Sequence, residues 1–383
     1  MTPHATLESL RELAQRVGKA GAGMLAGLDE TSAARKALAI VSESGATAWA
    51  VPHAWGGADA GALAANDEVS CRALCTLREG LAYHSAMLDV MLVMQGLGSY
   101  SLARAGSDAL RSRVLPRVAS GELVAAFALT ETGAGSDLGG VATRAERHHG
   151  RWRLSGAKTF ISNAGIADFY TLLARTSGEP GDGGKASLTM FFVPAESRGL
   201  STSRFEVTSP HPIGDVALEA VEVGDEHVLG SVGGGLDVAL ATLGRFRTSV
   251  AAAANGFSRR ALDESLAHAA SRVQFGKPLA AQQGVAFDLA EIDTRLRAAQ
   301  LLVREAAEAV DRGERATREV ARAKLFATES ASWICDRAVQ LAGGLGVKRG
   351  SAVEHLWRDV RALRIYEGTS EIQKLILARD LLA

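Results

Sequence analysis

Apolar positions follow a helical spacing in the first and last thirds of the chain and alternate with polar ones in the middle. At the start, Leu7, Leu10, Ala14 and Val17 share one face while Glu8, Arg11, Glu12 and Arg16 fall between them, which predicts an amphipathic helix rather than a signal peptide. Helical texture continues to about Leu123, broken around 52–57 and near Gly106, with a further helix beginning at Asp108 and closing by Gly121. The pattern then changes. Segments 143–146 and 152–154 flank a His149-Gly150 turn as in a hairpin, and 170–174, 188–193 (closed by Pro194) and 221–223 read as further strands. Residues 177–185, rich in Gly, Pro, Asp and Glu, read as an exposed loop. From about Gly233 the helical period returns. Val285, Leu289, Ile292, Leu296, Ala299, Val303, Ala306 and Val310 make a coiled-coil-like seam. Val320, Ala323, Ala327, Ile334, Ala338 and Leu341 make a second, with small residues that permit close helix approach. A last helix follows Ser370 and Gln373, spaced as a capping box, with Ile372, Leu375, Ile376 and Leu377 as its apolar face. The expected architecture is an α+β chain. An N-terminal all-α domain (1–123) leads into a middle β domain (124–230) of barrel or sandwich type, and a C-terminal four-helix bundle (231–383) follows.

Composition narrows the partners. The 383 residues carry 42 basic and 43 acidic side chains, a net charge of -1, so no global field draws nucleic acid or an anionic membrane. Three cysteines, Cys71, Cys75 and Cys335, can make neither a disulfide framework nor a closed zinc site, so no metal is expected. They read as buried thiols of a reducing compartment, and the protein is expected to be cytoplasmic with no membrane span.

Five stretches carry candidate chemistry. Residues 127–140 include Leu129-Thr-Glu-Thr-Gly-Ala-Gly-Ser136, where Gly133 and Gly135 free the backbone and Thr130 and Ser136 add hydroxyls, a set suited to a phosphate or a flavin edge as well as to a plain loop. Phe160 and Ser162 lie two apart on an extended segment, so both can face one planar ring. Arg272-Val-Gln-Phe275-Gly-Lys-Pro, shortly before Gln282-Gln283, breaks a helix and offers a guanidinium fork to an anion. Gln340-Leu-Ala-Gly343-Gly344-Leu-Gly carries more glycine than a helix stop requires. Last, Glu367 and Gly368 immediately precede the final helix, a place that suits an acidic residue complementing the helix dipole as well as one that meets a ligand.

Taken in this order and spacing, the five motifs resemble the acyl-CoA dehydrogenase family over nearly the whole chain, and the three-part texture agrees. The resemblance implies FAD between the β domain and the helical bundle. Phe127, Leu129, Thr130 and Ser136 would form the flavin loop, and Ser136 would also approach CoA. Phe160 stands where the family commonly has Trp beside the flavin, and Ser162 where a Thr hydrogen-bonds flavin N5. Arg272, Phe275, Gln282 and Gln283 match the arm that reaches a neighbouring subunit's cofactor, Gln340, Gly343 and Gly344 the loop at its adenosine half, and Thr369 and Glu371 the cover over the flavin. Arg247 and Gly368 would attend the substrate, and Glu367 would be the base. Relatives that carry the base on the bundle helix place it where this chain has Phe246, which cannot take a proton. The resemblance further implies an acyl-CoA substrate, fatty-acid β-oxidation chemistry, an electron-transfer flavoprotein as acceptor and a homotetramer. A flavin oxidase or monooxygenase on the same scaffold, or a dehydrogenase of acyl-carrier-protein thioesters, is the alternative. The segment 209–215 and Val347 depart from the family pattern, which leaves acyl preference open. His84, Asp89 and Met91 sit on a helix that could line the acyl pocket or serve simply as core and surface.

Overall fold

The computed structural model describes residues 2–64, 68–182 and 187–382. Its first part is five helices: α1 (Pro3–Met24), α2 (Glu30–Glu43), α3 (Cys71–His84), α4 (Ala86–Ala105) and α5 (Asp108–Ala119). Each begins at a Thr, Asp or Ser whose side chain accepts a backbone N–H of the first turn: Thr2, Asp29, Ser70, Ser85 and Ser107. Helix α4 is long and apolar enough to cross a membrane, yet 89% of its apolar window is buried within the protein. It is the core helix on which the other layers pack. Gly98 makes this possible, because a Cβ there would lie 2.7 Å from Ala125.

The middle part contains β1 (Ala125–Ala128), β2 (Arg144–His148), β3 (Arg151–Ser162), β4 (Phe169–Arg175), β5 (Leu188–Pro194), β6 (Leu200–Arg204), β7 (Ile213–Val223) and β8 (Val228–Leu229). They form one sheet in the order β6-β7-β3-β2-β4-β5-β8, with β1 parallel to β4. The turn between β2 and β3 puts both His149 (φ 48°) and Gly150 (φ 79°) in the left-handed region, the twist a two-residue hairpin needs. The sheet curls on itself: Trp152 of β3 meets Phe191 of β5 edge-on at 5.6 Å although two strands separate them. Strand β4 is buried along its whole length, one face in this barrel-like core and the other against α4 and α5 through Phe169 and Leu173. Within loop 177–185, residues 177–182 are exposed as expected; 183–185 lie outside the described residues.

The last part begins with α6 (Gly235–Ser271), crosses a short hairpin, β9 (Val273–Gln274) and β10 (Lys277–Pro278), and continues as α7 (Gln283–Asp311), α8 (Thr317–Ala342), α9 (Ala352–Asp359) and α10 (Ser370–Leu381). Ile292, Leu296, Ala299 and Val303 of α7 and Val320, Ala323, Ala327, Ile334 and Ala338 of α8 are buried together with Ala251 to Ala254 of α6. Cys71 and Cys75 of α3 join that core, so the first part is welded to the bundle. Gly256 sets the spacing, since a Cβ there would sit 2.2 Å from the Glu79 carbonyl. Helix α10 packs on α8, and Leu375 remains half-exposed.

Candidate active site

Glu367 sits in the linker between α9 and α10 with φ 52°, a left-handed conformation costly for a residue with a side chain, and Gly368 follows at φ 89°. Three side chains from three helices hold this strained pair. Arg247 Nε of α6 donates to the Glu367 carbonyl at 2.8 Å. Lys324 Nζ of α8 and Gln373 Nε2 of α10 both donate to the Gly368 carbonyl, at 2.8 and 2.9 Å. The two charge-assisted bonds, from Arg247 and Lys324, contribute about 1.5–3 kcal/mol each, enough to offset strain of ~1–3 kcal/mol. Gly368 cannot be larger: a Cβ would lie 2.8 Å from Gln373 Nε2.

The capping arrangement differs by one residue from expectation. Thr369 is the N-cap, its hydroxyl accepting the Ile372 N–H at 3.3 Å. Ser370 instead opens the helix and donates to Glu329 at 2.5 Å, beside the Arg364–Glu329 ion pair. Gln373 turns back to the Gly368 carbonyl rather than to a cap N–H, because the strained linker presents that carbonyl to it.

The carboxylate of Glu367 points inward. Its Oε2 is shielded from solvent and has no hydrogen-bond partner among the described residues. Burial raises its pKa above the ordinary value, opposed by the positive charges of Arg78, Arg247 and Lys324. Burial likewise brings Lys324 down to about 8 although Glu367 pulls the other way. Close to Glu367 in the interior lies an ion pair absent from the sequence-based site. Arg78 of α3 binds Asp89 of α4 through two bonds of 2.7 Å and Ser249 of α6 at 2.9 Å, with both charged side chains almost fully buried. Asp89 is thus neither apolar-core filler nor a surface residue; Met91 is core, and His84 bonds Gln15 at 2.8 Å.

A second cluster joins the loop after β1 to β3. Buried Lys158 donates to Glu131 at 2.6 Å and to the Leu129 carbonyl at 3.1 Å, while Thr159 N–H bonds the Thr130 carbonyl at 2.9 Å. Glu131 in turn accepts the N–H groups of Ala142 and Thr143 at 2.7 and 3.0 Å. Phe127, Leu129 and Thr130 are therefore fixed beside Phe160, whereas Ser136 stands exposed on the loop. Phe160 is 60% exposed, lies edge-on to Phe205 at 5.1 Å and has φ 54°, at a break in the β3–β7 register. Ser162 Oγ is 2.7 Å from His211 Nε2, a partner the sequence reading did not assign.

The remaining expected residues lie outward. Arg272, Gln283, Gln340, Gly343, Gly344 and Glu371 are exposed, and Phe275 is 95% exposed at φ 51°. Gln282 Nε2 is shielded and unpartnered among the described residues. None of these bonds to Glu367 within the chain. Arg78, Lys324 and Lys158 lacked a local signature; Asp89, Glu131 and His211 stood within stretches singled out above but without these roles, and only the capping pattern drew attention to Gln373.

Three family models match in succession: acyl-CoA dehydrogenase N-terminal domain over 3–122, middle domain over 126–221 and C-terminal domain over 233–382. The chain belongs to the acyl-CoA dehydrogenase family. It is 39% identical to a 3-(aryl)acrylate reductase of Clostridium sporogenes over 316 residues, 81% of this chain and 83% of that one. It is 38% identical to the caffeyl-CoA reductase-Etf complex subunit CarC of Acetobacterium woodii, covering 73% and 74%. The structure of butyryl-CoA dehydrogenase from Megasphaera elsdenii superposes with a TM-score of 0.90 at 28% identity, covering 99% and 98%. The protein is an oxidoreductase of a family of FAD enzymes. Its own residues fit that cofactor: unpartnered buried atoms on Glu367 and Gln282, an exposed aromatic beside a hydroxyl, and glycines 133, 135, 343 and 344 with open space where a Cβ would be.

Proposed function

We propose that this protein catalyses the α,β-dehydrogenation of an acyl-CoA thioester to the trans-2-enoyl thioester, with Glu367 as the base. The observation that carries the reading is the inward, unpartnered Oε2 of a glutamate held in a strained backbone by Arg247, Lys324 and Gln373. A buried carboxylate oxygen kept without a partner costs free energy that a proton or a ligand's hydrogen bond recovers, which suits Glu367 to proton uptake. Glu367 takes the α-proton, the β-hydrogen departs with its electron pair, and the Cα–Cβ double bond forms. FAD, when bound, would supply the acceptor for that hydride, and the electrons would go on to an electron-transfer flavoprotein, a partner supported by the similarity to a reductase–Etf subunit. The Glu367 N–H, free of acceptors among the described residues, is the donor for the thioester carbonyl and makes the α-C–H more acidic.

Phe127, Leu129, Thr130, Ser136, Phe160 and Ser162 would hold the flavin ring side, with Thr369 and Glu371 over it. Arg272, Phe275, Gln282 and Gln283, with Gln340, Gly343 and Gly344, would serve the cofactor across a homotetramer, which accounts for a phenylalanine left 95% exposed. Ser136, Arg247 and Gly368 would attend the CoA thioester. The free buried cysteines suit the cytoplasm. The reductase relatives name the reverse reaction, and the raised pKa of Glu367 suits it equally to return a proton.

Anaerobic mixing with a panel of acyl-CoAs tests the reading. Flavin bleaching by at least one of them is expected in the wild type, and Glu367→Gln should retain FAD while bleaching several orders of magnitude more slowly. Wild-type bleaching by the Gln variant would place the base elsewhere. Reoxidation of the reduced enzyme by arylacrylyl-CoA decides the working direction.

A further inference from the structure

Ser162 and His211 are held together by more than their own contact. Ser162 ends β3, and Asn163 (φ 65°) turns the chain by donating its N–H to the Pro212 carbonyl at 2.6 Å and its Nδ2 to the Ala125 carbonyl at 2.9 Å. In the segment that leads into β7, His211 N–H bonds Glu30 of α2 at 3.1 Å, and Ser209 bonds Asp359 of α9. The segment is fixed from α2, α9 and β3, so the 2.7 Å Ser162–His211 contact follows from the framework.

A hydroxyl has one proton to give and can accept in return. The flavin nitrogen that Ser162 faces under the proposed function only accepts when oxidised and only donates after hydride uptake. His211 is the one partner of the Ser162 hydroxyl among the described residues, so without it Ser162 satisfies the first state and leaves its own O–H without a protein acceptor in the second. Resting on the dehydrogenase reading, we propose that His211 is a positioning residue that lets Ser162 reverse its hydrogen bond as the flavin changes redox state. In the oxidised enzyme Nε2–H donates to Ser162 and Ser162 donates to the flavin nitrogen. In the reduced enzyme the flavin N–H donates to Ser162, whose proton turns to a bare Nε2. The imidazole changes tautomer with no change of charge, its Nε2 proton passing to solvent water and one from solvent water joining Nδ1 of this part-buried ring. Burial keeps the ring neutral by bringing its pKa down to about 4.

The test is the flavin midpoint potential, measured by dye-coupled reduction without any substrate. His211→Phe should bind FAD and disfavour the reduced form about tenfold, the worth of one stranded hydrogen bond, which is ~30 mV for a two-electron couple. His211→Gln, which can present either end of its amide, should hold the wild-type potential. In a Ser162→Ala background the Phe substitution should add nothing. The proposal is overturned by a Phe variant at the wild-type potential, by a Gln variant that falls with it, or by a shift that survives without Ser162. A wild-type protein that binds no FAD would instead sink the dehydrogenase reading.

Discussion

The Arg78–Asp89 pair makes a quantitative test because its two members act on Glu367 with opposite sign. Arg78 is the first of the charges that hold the Glu367 carboxyl down, and Asp89 pushes it up; Arg247 and Lys324 are the other cations facing it. Arg78→Met removes a cation and leaves Asp89 buried alone, 2% exposed. Asp89→Asn leaves the guanidinium with an amide and Ser249. Breaking a buried pair in this way costs about 3–5 kcal/mol, whereas removing both charges with apolar residues of like size ranges from neutral to stabilising. Denaturant unfolding of Arg78→Met, Asp89→Leu and the double variant should therefore give two badly destabilised singles and a double close to wild type, with a coupling energy of several kcal/mol. The pH profile of single-turnover flavin reduction adds a readout that packing damage would not produce. The proposed role of Glu367 needs its ionised form, so the rate should rise with pH through its pKa. Arg78→Met moves that limb to higher pH and Asp89→Asn moves it to lower pH. Limbs that move in the same direction in both variants, or a double variant as unstable as the sum of the singles, would refute the reasoning.

Other outcomes follow from the same geometry. Because burial raises the folded pKa of Glu367 above its ordinary 4.5, the folded state holds that proton more tightly, and this group lowers stability as pH rises past 4.5. Glu367→Gln should therefore unfold later than wild type at neutral pH, an advantage that vanishes in melts below that value. Lys158→Met strands Glu131 and releases the loop at Leu129; FAD affinity measured by fluorescence quenching should drop at least tenfold, a loss of about 1.4 kcal/mol, while the bundle stays folded. Phe275 is 95% exposed, so Phe275→Ala should match the wild-type far-UV spectrum while FAD retention through gel filtration declines.

What could be read from the sequence divides along the range of the interactions involved. Layers and seams were legible because burial imposes its period on every turn and strand, as Ile292 to Val303 on α7 illustrates. Glu367 stood out as a candidate because a glutamate and glycine before a helix leave a local trace, which suits a dipole partner as well as a base until the resemblance is added. The cap was misplaced by one residue because Thr369 and Ser370 are equally good caps in isolation, and only the tertiary contact of Ser370 with Glu329 decides between them. Arg78 left no trace at all. It lies on an ordinary amphipathic helix between Leu77 and Leu81, and its partner Asp89 is on the next helix, beyond the break at Ser85.

That division explains how this site is built. A base on a regular bundle helix, at the position of Phe246, would be placed by that helix alone; Phe246 is instead fully buried, edge-on to Tyr100 at 5.6 Å. On a linker at φ 52° the proposed base has no such support, and its position has to be imposed from outside. Side chains from α6, α8 and α10 fix its backbone, and a pair bridging α3 and α4 sets its surroundings. Glu367 is therefore placed correctly only once the first helices are docked on the last. A lesion in that interface, such as a side chain at Gly256 where the Cβ would be 2.2 Å from the Glu79 carbonyl, should impair proton abstraction although it lies outside the site. Flavin affinity set by the Glu131–Lys158 cluster, which does not depend on that docking, should persist in the same variant.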